Sequence, residues 1–167
     1  MQTLHTLLNG KRKHELIALL QQCCASEKWV ALMLDCIPFA DSEEVLARAS
    51  SIWATLNVSD YLQAFSAHPQ IGDVKTLQAK YVNTEAIASS EQSQVAGASQ
   101  ETIEQLGLAN QLYLKRFGFI FIICATGKSA KEMLNALLSR IGNSRQAEIQ
   151  NAADEQIKIT KLRLKKL

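Results

Sequence analysis

Two prolines and seven glycines are spread over 167 residues, too few to punctuate a fold made of many tight turns, so long uninterrupted helices are predicted. Aromatic residues make up only 6% of the chain, and 18 basic residues stand against 16 acidic ones. With few rings for stacking and no marked positive excess, nucleic-acid binding leaves no footprint here. No window approaches the roughly 18 to 20 consecutive apolar residues that a membrane-spanning helix needs. The opening MQTLHTLLNGKRKHEL lacks the basic-then-apolar order of a secretory signal, so a cytoplasmic protein with no membrane partner is expected. Lys165-Lys166-Leu167 has Lys where a peroxisomal tripeptide has a small Ser.

Histidine is scarce too: His5, His14 and His68 are the only three, too scattered to build a metal site on helices by themselves. No glycine-rich phosphate loop, no G-x-S-x-G elbow and no H-E-x-x-H pattern occurs. Cys23, Cys24, Cys36 and Cys124 include an adjacent pair but no C-x-x-C, and their apolar surroundings read as buried thiols rather than a disulfide framework or a zinc site. An enzyme of this composition runs on side chains alone, with no metal and no organic cofactor.

What is present is an apolar fraction of 47%, enough for one sizeable core, so residues 1–167 are read as a single domain. Val45, Leu46, Ala49, Ile52, Trp53 and Leu56 form one helical face, with Asp41 and Glu44 spaced as a capping box. Ser129 and Glu132 make a second box ahead of Leu134, Leu137, Leu138 and Ile141, and Gly142 stands where a left-handed C-cap belongs. The final segment repeats Ile149, Ala153, Ile157, Thr160 and Leu164 and ends in basic residues that suit a helix C-terminus. Further helices are predicted at about 12–24, 27–36 and 59–66. A long segment from Ser89 or Ser90 runs to Phe117, interrupted near Gly97, with Gly118 as its C-cap. The fold class is therefore all-α, a helical bundle.

One stretch breaks the pattern. Phe119-Ile120-Phe121-Ile122-Ile123-Cys124 is a continuous β-branched and aromatic run between Gly118 and Gly127, and it is expected to be buried and extended. Its backbone groups then need partners, which either neighbouring helices or a planar, amide-rich ligand could supply.

His5 and His14 lie in a polar, basic region and read as solvated. His68 sits in Ala67-His68-Pro69-Gln70-Ile71-Gly72-Asp73, where Pro69 turns it away from helical geometry and leaves the imidazole at a helix end. A histidine so placed can exchange a proton near neutral pH, or serve as an ordinary loop residue. Ser89-Ser90-Glu91-Gln92 likewise reads two ways. Ser89 and Gln92 fit a capping box with Glu91 as a first-turn acid, or Glu91 and Gln92 face a cleft as proton acceptor and orienting amide.

Taken in order, AHPQIGD, ASSEQ, KRFGFIFIICATGKS and the closing KITKLRLKKL resemble the OHCU decarboxylase family, whose substrate is 2-oxo-4-hydroxy-4-carboxy-5-ureidoimidazoline. The likeness extends over nearly the whole chain, through Leu8-Asn9, Lys28-Trp29-Val30 and Pro38-Phe39. It implies an all-α homodimer in urate and purine catabolism, a lyase that converts OHCU to (S)-allantoin with release of carbon dioxide. By the same resemblance His68 is the catalytic histidine, Pro69 contacts substrate, Glu91 and Gln92 are a substrate-binding pair, and the backbone of Phe119, Ile120, Phe121, Ile122 and Ile123 holds the ring; Glu91 is read as the catalytic partner of His68. Arg163 matches the family's C-terminal substrate-binding arginine. Two positions depart from the pattern: Ala88 stands at a substrate-contacting serine, and Ile37 replaces an arginine before Pro-Phe. The ligand is thus a small ureidoimidazoline. The competing reading is a non-catalytic helical interaction module whose 119–124 run docks a partner.

Overall fold

Residues 2–69 and 99–167 are described in a computed structural model. Among them, eight helices and no strands are found: α1 (Leu4–Asn9), α2 (Lys13–Cys23), α3 (Glu27–Leu34), α4 (Ser42–Ala54), α5 (Val58–Ser66), α6 (Gln100–Phe117), α7 (Ala130–Arg140) and α8 (Arg145–Leu164). None is long and apolar enough to cross a membrane. Contacts group the chain into two units, Met1–Ala67 with Ile149–Leu167, and His68–Glu148.

The helix starts follow local chemistry. Asp41 accepts the N–H of Glu44 at 2.7 Å, while the Glu44 carboxylate reaches back to the N–H of Ala40 instead of Asp41, so the predicted box closes one residue further out. Ser129 and Glu132 do exchange both bonds, at 3.2 and 2.7 Å, as do Asn57 and Asp60 at the head of α5. Gly118 takes the left-handed conformation at φ 77° that ends α6. Gly142 does not: Ile141 caps α7 in right-handed geometry, and positive φ among the described residues is confined to Gly118 and Gly127.

In the first unit, α2 packs on α3 and α3 on α4. Trp29 is fully buried and donates its indole N–H to Ala49 at 3.1 Å. Tyr61 donates its hydroxyl to the carbonyl of Trp53, against whose ring it lies at 4.6 Å. Asn9 binds both backbone groups of Phe39, at 2.8 and 2.9 Å, just after the cis Ile37–Pro38 peptide. His5 is half-buried rather than solvated, with Nδ1 3.2 Å from Ser42 Oγ at the start of α4; His14 is exposed as expected.

In the second unit α6 lies along α7. Ile103, Leu106, Tyr113 and Phe117 of α6 and Met133, Leu134 and Leu137 of α7 are buried, the i, i+3, i+4 spacing that gives each helix one apolar face.

Candidate functional site

His68 lies two residues beyond the last residue of α5, after the helical C-cap Ala67; it is half-buried and Pro69 is exposed. Because proline disfavours helical geometry in the residue before it, α5 ends where the sequence demands. Ala88, Glu91 and Gln92 lie outside the described residues.

Residues 119–124 follow Gly118 and belong to neither helix nor strand. Their burial is uneven: Phe119 and Ile122 are buried, whereas Ile120, Phe121, Ile123 and Cys124 are half-buried. The N–H groups of Ile120, Phe121, Ile122 and Ile123 make no hydrogen bond to another described residue. One carbonyl of the run does have a partner, since Arg140 Nη1 of α7 donates to the oxygen of Ile122 at 2.9 Å. A row of amide donors in a half-buried stretch can read the edge of a planar heterocycle.

Behind this run lies a polar cluster that residue-type reasoning did not find. Glu148, on the first turn of α8, is fully buried. Its Oε2 lies 3.0 Å from Arg140 Nε and 2.9 Å from Nη2, and also accepts the hydroxyl of Tyr113. Asn143 Nδ2 donates to Oε1 at 2.8 Å. Burial, and then the bond to Glu148, push the Tyr113 hydroxyl well above the usual tyrosine pKa. The Arg140 guanidinium also covers the Phe121 ring at 4.5 Å, and the Tyr113 ring meets Phe121 edge-on at 5.2 Å. Arg145 Nε caps the end of α6 by donating to the carbonyl of Phe117 at 2.9 Å. The available signal was spacing: Glu148 shares a four-residue period with the buried Ala152, Gln156 and Thr160.

Arg163 is half-buried in the last turn of α8. Its Nη1 donates to the carbonyls of Gln22 and Cys23, at 3.2 and 3.5 Å, where α2 ends. This is a charged cap on exposed helix carbonyls. Of the four cysteines read as buried thiols, Cys23 and Cys24 are buried and burial pushes each up to about 11, whereas Cys36 and Cys124 are only half-buried, which corrects the reading for those two.

A separate hollow of about 320 Å³ opens between α2 and α3, with Ile17, Val30, Ala31 and Leu34 in its wall and Lys13, Glu27 and Asp35 at its edge. None of the sequence-predicted site residues lines it. Among the described residues no cluster of His, Cys, Asp and Glu has the arrangement of a metal site.

Comparison with known proteins gives this geometry a context. The sequence model of OHCU decarboxylase matches residues 9–165. The uric acid degradation bifunctional protein TTL of Arabidopsis thaliana is 41% identical over 146 residues, which make up 87% of this chain and 45% of that protein. The 2-oxo-4-hydroxy-4-carboxy-5-ureidoimidazoline decarboxylase of Amia calva is 29% identical over 127 residues, 76% of this chain and 72% of that one. Among solved structures, OHCU decarboxylase crystallised in the presence of (S)-allantoin superposes with a TM-score of 0.71 at 40% identity, covering 87% of this chain and 94% of that one. The chain spans less than half the length of the bifunctional relatives it matches.

Proposed function

Because the chain belongs to the OHCU decarboxylase family, we propose that it removes the carboxylate of OHCU and delivers (S)-allantoin, acting in urate breakdown as one domain over 1–167. The observation that carries this reading is the family match across residues 9–165; the amide row at 120–123 is the geometric feature that agrees with it.

The chemistry accounts for the residue types. Loss of carbon dioxide leaves an electron pair on the carbon that bore the carboxylate, and the substrate's own conjugated C=N and ureido groups accept it. The protein's part is to hold the carboxylate out of that plane, stabilise the developing charge and bring a proton to one face. His68 handles that proton, and Glu91 orients the hydroxyl and ureido hydrogens with Gln92 beside it. Pro69 and the backbone of 119–123 wall and bind the ring. Ala88 withholds the hydroxyl that a serine would offer there, so that contact is either missing or supplied by Ser89 or Ser90. Arg163 is assigned to the substrate by the family resemblance alone; in the structure its Nη1 donates to the carbonyls of Gln22 and Cys23. General acid–base assistance of this kind is worth about 10² to 10⁴ in rate.

The protein works in the cytoplasm as a homodimer. Leu108 and Leu112, one turn apart on α6 and each more than half exposed, are apolar surface suited to such a contact.

The reading is tested by generating OHCU from urate in place, through urate oxidation and hydrolysis of 5-hydroxyisourate, and timing carbon dioxide release. The chain accelerates release over spontaneous decay; His68→Ala loses the acceleration while keeping its helical circular dichroism. Equal rates with and without the chain would remove the proposal.

A further inference from the structure

We propose that Arg140, Glu148 and Tyr113 form a buried clamp that fixes how the 120–123 main chain presents its amides, making Arg140 a positioning residue for the substrate ring. The inference rests on the reading of 119–123 as the ring-holding stretch.

Arg140 makes three contacts at once. Nη1 holds the Ile122 carbonyl at 2.9 Å, Nε and Nη2 lie 3.0 and 2.9 Å from Glu148 Oε2, and the guanidinium covers the Phe121 ring at 4.5 Å. The peptide unit is planar and trans, so a fixed Ile122 oxygen also fixes the Ile123 N–H, which points the opposite way from the same plane. Stacking on Phe121 holds the side chain of the preceding residue, so one arginine touches two successive residues of the run and orients the peptide between Ile122 and Ile123.

The guanidinium is itself held. Glu148 is fully buried, and its carboxylate is anchored by the Tyr113 hydroxyl and by Asn143 Nδ2 as well as by Arg140. Tyr113, Arg140 and Glu148 come from α6, α7 and α8. A buried ion pair is seldom more stabilising than apolar packing of the same volume. What it supplies is direction, because the rigid planar fork of arginine holds its partners at fixed angles, whereas the three donors of an ammonium rotate freely. Here one of those partners is the irregular main chain itself.

Arg140→Lys keeps the charge and can still meet Glu148, but it cannot hold the Ile122 carbonyl through the same fork. Steady-state assay with OHCU generated in place is expected to give a KM raised about tenfold with a smaller fall in kcat. Inhibition by added (S)-allantoin should weaken in parallel. A purely structural role would instead lower the melting temperature and the active fraction, leaving KM unmoved. Tyr113→Phe keeps every ring and removes one anchor of Glu148, so a KM rise of about two- to threefold is expected. A wild-type KM and (S)-allantoin affinity in Arg140→Lys would overturn the clamp; if that variant does not fold, an unchanged KM in Tyr113→Phe overturns it. An inactive wild-type chain removes the decarboxylase reading and the clamp with it, whereas an active wild type with indifferent variants removes the clamp alone.

Discussion

Trp53 donates its indole N–H to the carbonyl of Ala153 at 2.9 Å, joining α4 to α8 across 100 residues of sequence. Both residues are buried. Trp53→Phe removes the donor and leaves space, so the chain should lose about 1 to 3 kcal/mol of stability. Urea unfolding of the two proteins measures the difference, and an unchanged midpoint would show that the bond contributes nothing net.

The buried thiols set a limit at high pH. Cys23 and Cys24 are pushed up from 9.0 to about 11, chiefly by burial. Between those values the unfolded chain gives up its thiol protons first, so the folded state, stable below pH 9, loses stability as pH rises towards 11. The raised hydroxyls of Tyr113 and Tyr61 act in the same direction at higher pH. Urea midpoints at pH 8 and pH 10 should fall in that order. At pH 8 the two thiols should react with a disulfide reagent only after denaturation.

Gly118 opens the irregular run at φ 77°, and an added Cβ would meet nothing within 4 Å. The penalty for Gly118→Ala is therefore backbone strain alone, about 1 to 2 kcal/mol. Gly118→Asn should cost less, because asparagine visits left-handed geometry more readily. Thermal melts of the pair against wild type give the ranking directly.

Ser129 caps α7, the helix that carries Arg140. Ser129→Ala should cost about 1 kcal/mol, and Ser129→Asp much less. The bonds from Ser129 hold the Glu132 carboxyl below its usual pKa, so this contribution is present above the ordinary carboxylate range and is lost as pH falls through the lowered value. The gap between wild type and Ser129→Ala should narrow in acid melts.

Local signals in the sequence were enough for most of the helices. Ser129 with Glu132, the stripe from Val45 to Trp53 and the Gly118 stop each depend on residues within a turn or two of one another, and each has its counterpart in the structure. Gly142 failed as a left-handed cap because α7 ends at Arg140 and Ile141 caps it in right-handed geometry. The Tyr113, Arg140 and Glu148 cluster was not legible: in sequence each is an unremarkable polar residue on a helix, and only the convergence of α6, α7 and α8 buries them together. His68 was singled out by its proline and its place after α5, both local features. The role of Arg163 comes from resemblance, and resemblance alone favours the cleft reading of Glu91 over the first-turn acid, since no spacing rule assigns a carboxylate or a guanidinium to a ligand.

Stereocontrol is the central claim, and the handedness of the product measures it most directly. With OHCU generated in place, circular dichroism should show (S)-allantoin accumulating with the wild-type chain, and His68→Ala should lose at least about 10² of the enhancement. Racemic allantoin formed at the spontaneous rate by the wild-type chain would contradict the account.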